Sequence, residues 1–318
     1  MRGSSNEIVG LNAVRGLAIL LVVFAHGAAQ FVPHSAEASL SAGNLGVILF
    51  FFLSGFLMDR TYGAVPALWP YRVRRSFRIL PMYWVSIGFI LITSTQWTAR
   101  DGIVNAFFAA PAFHIERMSG VYWTLYIEVL FYAAVPFLYW FGRWALSTSP
   151  VVLITAFAVL TGTHHAPSSW APFYLVYCLA GLQIGLWSRG RLSSSQLAFS
   201  VLIVAAGSSA LPVVSPYLGL APLISAALLL AALRFKRDIP GFGFIGKISY
   251  SWYLLHMTIG SIVVAALSMQ EGLTTCAISA VVSLAISAVT YRLVELPVIE
   301  AGKVLIRFGR PAVFATSG

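Results

Sequence analysis

The sequence predicts an all-α, polytopic membrane protein of about ten transmembrane helices with both termini cytoplasmic. Three observations carry that expectation: the apolar excess, the spacing of the apolar runs, and the side on which basic residues fall. Apolar residues make up 59% of the 318 and charged residues only 9%, against about 25% charged in an ordinary soluble domain. Mean hydropathy is +0.85. So few polar groups cannot coat so much apolar surface. This excludes a soluble globular fold, a disordered chain, a coiled coil, a secreted disulfide scaffold and a nucleic-acid-binding domain, despite a net charge of +10.

The first apolar run, 12–32, has the small residues Gly27, Ala28 and Ala29 where a signal peptidase cuts. A long polar approach holding Glu7 and Arg15, and the resumption of apolar sequence at Phe31 and Val32, mark it instead as an uncleaved span. Further runs follow at 43–58, 80–95, 122–141, 151–163, 171–187, 197–214, 217–233, 245–269 and 273–294. Ten crossings of about 20 residues take about 200 residues, so residues 1–318 form one membrane domain with a short cytoplasmic tail from 298. The run 151–163 is the shortest, and 103–113 is too brief to cross and is re-entrant or interfacial.

With the N-terminus inside, the inner loops hold Arg60, Arg72, Arg74, Arg75, Arg78, Arg143, Arg189, Arg191, Arg234, Lys236, Arg237 and Lys247. The tail adds Lys303, Arg307 and Arg310, and the outer loops receive only Arg100 and Arg117. That asymmetry obeys the positive-inside rule. No internal repeat of the transporter kind is visible.

Ionisable residues inside spans are costly and face the bundle interior or an aqueous cavity. Arg15 and His26 share the first run; their eleven-residue spacing turns 1100°, about 20° past three full turns, so they point one way about 16 Å apart. A snorkelling arginine and a satisfied core histidine are the bland alternative. Arg72, Arg75 and Arg78, with Arg74 beside them, crowd guanidinium groups before Pro81. Such a cluster suits a polyanion through bidentate pairing, or anionic lipid headgroups at the inner leaflet. Glu128 lies deep in a span, as a buried partner for an arginine or as the carboxylate that orients His26. His256 is a further intramembrane histidine, and Arg292 with Glu295 reads as an i,i+3 ion pair.

Other signals are set aside. Gly241–Gly246 satisfies G-x-G-x-x-G and Lys247 follows it, but no strand precedes it and Ile248 fills the Ser/Thr slot of a nucleotide loop. A helix N-terminus with Lys247 beside it remains able to help hold a phosphate. His164 and His165 lack neighbouring acidic or thiol ligands, so no metal is expected. Cys178 and Cys276 sit in apolar runs as packing residues. Gly181 and Gly185 mark a close helix contact. No G-x-S-x-G elbow occurs.

These pieces, taken in order over 7–297, resemble the membrane acyltransferase 3 family. The likeness rests on LNAVRGLAILLVVFAH, with Arg15 and His26 in the Arg-x10-His element, on NLGVILFFFLSGFLM, and on RRSFRILPMYW, with Arg75 and Arg78. YWTLYIEVLFY follows, with Thr124 where serine is usual, then ISYSWYLLH and LVELP. The resemblance implies a ten-helix O-acyltransferase of the bacterial inner membrane. It would move an acyl group, by default acetyl, from cytoplasmic acyl-CoA to a carbohydrate hydroxyl. A stand-alone member without the extracytoplasmic SGNH-type domain of some relatives points to an exopolysaccharide or lipid-linked oligosaccharide acceptor. The partners would be polysaccharide biosynthesis machinery and membrane lipids, with no metal and no nucleic acid.

On that reading Arg72, Arg75, Arg78 and Lys247, with Arg15, grip the donor at the inner mouth. His26 removes the acceptor proton, and Glu128 fixes its tautomer or stabilises the imidazolium. Direct transfer and an acyl-histidine intermediate both stay open. So do two other classes: a transporter or flippase using the same charges as a relay, and a structural partner in a synthase complex. The first is distinguished by transport without CoA release, the second by a silent His26→Ala.

Overall fold

The structure, a computed structural model, describes residues 8–308 apart from 33–35, 65, 143–145, 163–170, 211–218, 236, 238 and 271. His164, His165, Arg143, Lys236 and Arg310 lie outside the described residues. The described residues form no strand. In chain order the helices are α1 (Val9–Phe31), α2 (Ala36–Met58), α3 (Leu68–Thr93), α4 (Ala99–Ala106), α5 (Tyr122–Phe141), α6 (Ser149–Gly162), α7 (Ala171–Ser188), α8 (Ser194–Ser209), α9 (Leu220–Arg234), α10 (Phe242–Ala266), α11 (Leu273–Thr290) and α12 (Leu296–Phe308). Every predicted apolar run overlaps one of them. Six helical stretches are long and apolar enough to cross a bilayer: Val9–Phe31, Ser41–Gly63, Leu68–Thr93, Tyr122–Phe141, Phe242–Ala266 and Leu273–Phe308. Four further apolar helices, Ser149–Leu160, Phe173–Ser188, Ser194–Ser209 and Leu220–Arg234, are shorter than that.

Three helices extend beyond their apolar runs, and each extension matters to the site. The basic lead-in to the third run is helical from Leu68, so the arginines and the span share α3. Pro81 lies inside it, although its ring removes the amide that would have bonded the carbonyl of Phe77. The second run passes directly into a π-helical turn, Asp59–Gly63. The last run does not stop at 294: α11 continues through a second π turn, Tyr291–Glu295, into α12. What reads as the start of a tail is therefore packed structure, with Gly302 of α12 seated against the Phe77 ring of α3. Single π turns of this kind recur at functional sites because they re-aim a side chain without ending the helix.

Close helix approach organises the core. In lipid there is no hydrophobic drive between helices, so association depends on small residues that let backbones meet. A Cβ on Gly55 of α2 would stand 1.8 Å from the Cys178 carbonyl oxygen of α7, and one on Gly181 would stand 2.0 Å from the Phe52 carbonyl oxygen. The G-x-G-x-x-G stretch serves the same end. A Cβ on Gly246 would lie 1.9 Å from the Asn12 carbonyl oxygen, and one on Gly16 would lie 2.5 Å from that of Phe242, which pins α10 to α1.

Gly181→Leu is expected to destabilise the bundle by at least the ~1–3 kcal/mol typical of overpacking, because the obstacle is backbone and cannot turn aside. Thermal unfolding in detergent measures it. Gly88→Leu is the control: a Cβ at Gly88 has nothing within 4 Å, and this variant should keep the wild-type midpoint.

Candidate active site

Helices α1, α2, α3, α5 and α10 surround a cavity of about 100 Å³ lined by Arg15, Ser54, Arg75, Arg78, Thr124, Glu128, Tyr132, Tyr250 and Tyr253 among apolar neighbours. Its polar side chains come from five segments far apart in sequence. The straight run of α3 sends Arg75 and Arg78 inward, three residues apart on one face. Arg78 donates to Glu295 Oε1 at 2.6 Å, and its guanidinium lies 5.7 Å from the centre of the Tyr250 ring. Ser251 Oγ donates to the other oxygen of Glu295 at 2.5 Å. The second π turn aims Glu295 into this position, where it is 1% exposed. The expected Arg292–Glu295 pair is thus not formed: Arg292 is exposed, and the buried carboxylate takes the arginine of α3 instead.

Arg75 is held differently. Nη2 donates to Thr61 Oγ1 at 3.3 Å, on the first π turn, and the guanidinium stands 5.4 Å from the Tyr132 ring centre. Its Nε is buried with no hydrogen-bond partner among the described residues. A buried donor left unsatisfied carries a desolvation cost of about 1–3 kcal/mol, so this corner suits an anionic oxygen. Arg15 donates to Asn12 Oδ1 at 3.4 Å, across one turn of α1.

Glu128 accepts from Ser54 Oγ at 2.5 Å and from the Tyr132 hydroxyl one turn along α5. The carboxylate therefore belongs to the floor of this cavity. The group that meets His26 is instead His256, with Nε2 3.1 Å from His26 Nδ1. The two imidazoles lie with ring centres 5.1 Å apart. The pairing of Glu128 with His26 expected from sequence gives way to a histidine pair between α1 and α10.

His26 and His256 line a second cavity, of about 20 Å³, with Gln30, Cys276 and Ser279. That is room for about one water. No residue lines both cavities, so Arg15 and His26, on one stripe of α1, face different chambers. Tyr253 links them: it lines the first, and its ring centre is 6.1 Å from that of His256. Its hydroxyl is 2.7 Å from Thr124 Oγ1, which couples α10 to α5 at this junction.

Arg72 reaches neither chamber. It is exposed and lines an apolar groove of about 650 Å³ between α3 and α5, which shares Arg75, Ile79 and Tyr132 with the first cavity. Arg74 and Lys247 are exposed and line neither chamber.

A buried clamp supports the frame. Arg189, which follows α7, donates through Nε to Asp59 Oδ2 at 2.9 Å and through Nη2 to Oδ1. Its Nη1 donates to the Gly63 carbonyl at 2.9 Å, and the Tyr139 hydroxyl also donates to Asp59. Gly185 leaves the space that Asp59 occupies. The clamp thus holds both ends of the π turn that presents Thr61 to Arg75.

Among the described residues no group of His, Cys, Asp and Glu has a metal-ligating arrangement. Residues 8–292 match the acyltransferase domain of the acyltransferase 3 family. The chain belongs to that family. It is an acyltransferase with membrane helices, and the matched span contains the residues that line both chambers, with Glu295, the partner of Arg78, just beyond it. Its relatives include Exopolysaccharide production protein ExoZ of Rhizobium meliloti (strain 1021), 28% identical over 306 residues that cover 85% of this chain and 95% of the relative. Nodulation protein 10 of Rhizobium leguminosarum bv. viciae is 27% identical over 182 residues, 46% of this chain and 47% of its own length. No solved structure matches.

Proposed function

We propose that this acyltransferase moves an acyl group, by default acetyl, from cytoplasmic acyl-CoA to a hydroxyl of a carbohydrate. The acceptor is an exopolysaccharide repeat unit or a lipid-linked oligosaccharide, and the ExoZ relationship over most of both chains supports that class. The protein acts as a single domain of ten spans in the bacterial inner membrane, with both termini inside. The four shorter apolar helices and the one-sided distribution of basic residues support that topology.

The observation that carries the reading is the unsatisfied Arg75 donor in a chamber shared with Arg15 and Arg78. These guanidinium groups receive the anionic oxygens of the donor. Arg72 attracts it from the neighbouring groove, and Lys247 adds to the basic rim. Glu128, by accepting from Ser54 and Tyr132, fixes the ring over which Arg75 lies. In the transfer step the acceptor oxygen bonds to the thioester carbonyl carbon while His26 takes its proton, and the C–S bond breaks to release CoA. The Tyr253 junction must open for the thioester to approach His26.

The test is purified protein reconstituted in liposomes with acetyl-CoA and an extract of lipid-linked glycans. Free thiol should appear only with both substrates, and glycans from a deletion strain should lack one acyl mass. Glycan translocation without thiol release would overturn the proposal. Arg75→Ala should raise the KM for acyl-CoA about tenfold, the worth of one charge-assisted hydrogen bond, with the melting point unchanged. Arg78→Ala should also lower the melting point, since it strands the buried Glu295 carboxylate.

A further inference from the structure

The two histidines hold each other in a defined protonation pattern. His256 Nδ1 lies 2.8 Å from the Tyr253 carbonyl oxygen and 3.1 Å from that of Trp252. Both partners are acceptors only, so this nitrogen carries the hydrogen. In a neutral imidazole the other nitrogen is then bare, so His256 Nε2 is an acceptor. The atom facing it is His26 Nδ1, at 3.1 Å. A hydrogen bond there requires the hydrogen on His26 Nδ1. His26 Nε2 is left with its lone pair.

We infer that His256 is a positioning residue for the transfer reaction: it fixes His26 as the Nδ1–H tautomer and turns Nε2 toward the acceptor hydroxyl. The inference rests on the reading of His26 as the base. It assigns to an imidazole the orienting task that carboxylates usually perform. A carboxylate buried here would bring a charge into a membrane interior, whereas a neutral ring anchored on backbone carbonyls of its own helix does not. His256 is 5% exposed, at the centre of α10, so its place is fixed by packing as well as by hydrogen bonds.

The tautomer is read directly by NMR of detergent-solubilised protein labelled with 15N-histidine, taking as His26 the signals lost in His26→Gln. The expected spectrum shows a protonated Nδ1 and a bare Nε2 for His26; a protonated Nε2 would overturn the inference. Kinetics supply the second arm. His256→Leu should lower kcat about 10- to 100-fold, the usual effect of removing the partner that orients a functional histidine, with the KM for acyl-CoA unchanged. His256→Gln should retain most of kcat, because its amide oxygen takes the place of Nε2 as acceptor. Wild-type kcat in His256→Leu would also overturn the inference, and if that variant fails to insert, the wild-type spectrum decides. Activity retained in His26→Ala would instead remove the base assignment, while the spectrum would still report on the pair.

Discussion

His26→Ala is expected to lower acyl transfer by about 10²- to 10⁴-fold, the range that a positioned general base contributes, with acyl-CoA binding intact. The separation follows from the two chambers. His26 lines only the smaller one, whereas Arg15, Arg75 and Arg78 line the larger. Removing the imidazole leaves the cationic cavity untouched and leaves His256 still anchored to the carbonyls of its own helix. Rapid-quench transfer assays and equilibrium binding of acyl-CoA, run on the same preparation, measure the two quantities. Loss of donor binding in parallel with transfer would place His26 in the donor site, and a wild-type rate would end its assignment as the base.

The second large effect lies in the clamp, away from both chambers. Asp59 is fully buried, and Arg189 is partly buried, with 17% of its side chain exposed. Removing one member of such a pair leaves an uncompensated charge and costs about 3 kcal/mol. Asp59→Leu is therefore expected to lower the melting point sharply. It should also raise the KM for acyl-CoA, because the freed π turn no longer presents Thr61 to Arg75. The double variant Asp59→Leu, Arg189→Leu should recover much of the stability, since an apolar pair can replace a buried ion pair at little cost. It should recover less of the KM, as the π turn stays unanchored. A single variant with the wild-type melting point would show that the clamp contributes nothing.

The helical class, the ten apolar runs and the basic cluster are legible in sequence because each depends on local composition. Arg15 and His26 are visible as a pair for the same reason: a single helix fixes their relative direction by residue count alone. The partners of those residues are not legible. Glu295 reads naturally with Arg292, three residues away, yet it pairs with Arg78, 217 residues away. Asp59 and Arg189 are separated by 130 residues and neither lies in a shared motif. Glu128 offers a carboxylate for His26 by chemistry, but α5 carries it to Ser54 and Tyr132. The one available signal is His256, a second histidine within a span, which the cost of burying such groups marks as a partner for another.

Sequence by itself determined what each helix must bury and which polar atoms the membrane forces inward, because hydropathy and helical period are properties of neighbouring residues. Tertiary structure alone decided which of those atoms meet, and that the stripe of α1 serves two chambers rather than one. The reason is physical: a hydrogen bond in a low-dielectric interior goes to the acceptor within about 3 Å, and which acceptor lies there is set by how glycine-lined helices pack, not by spacing along the chain.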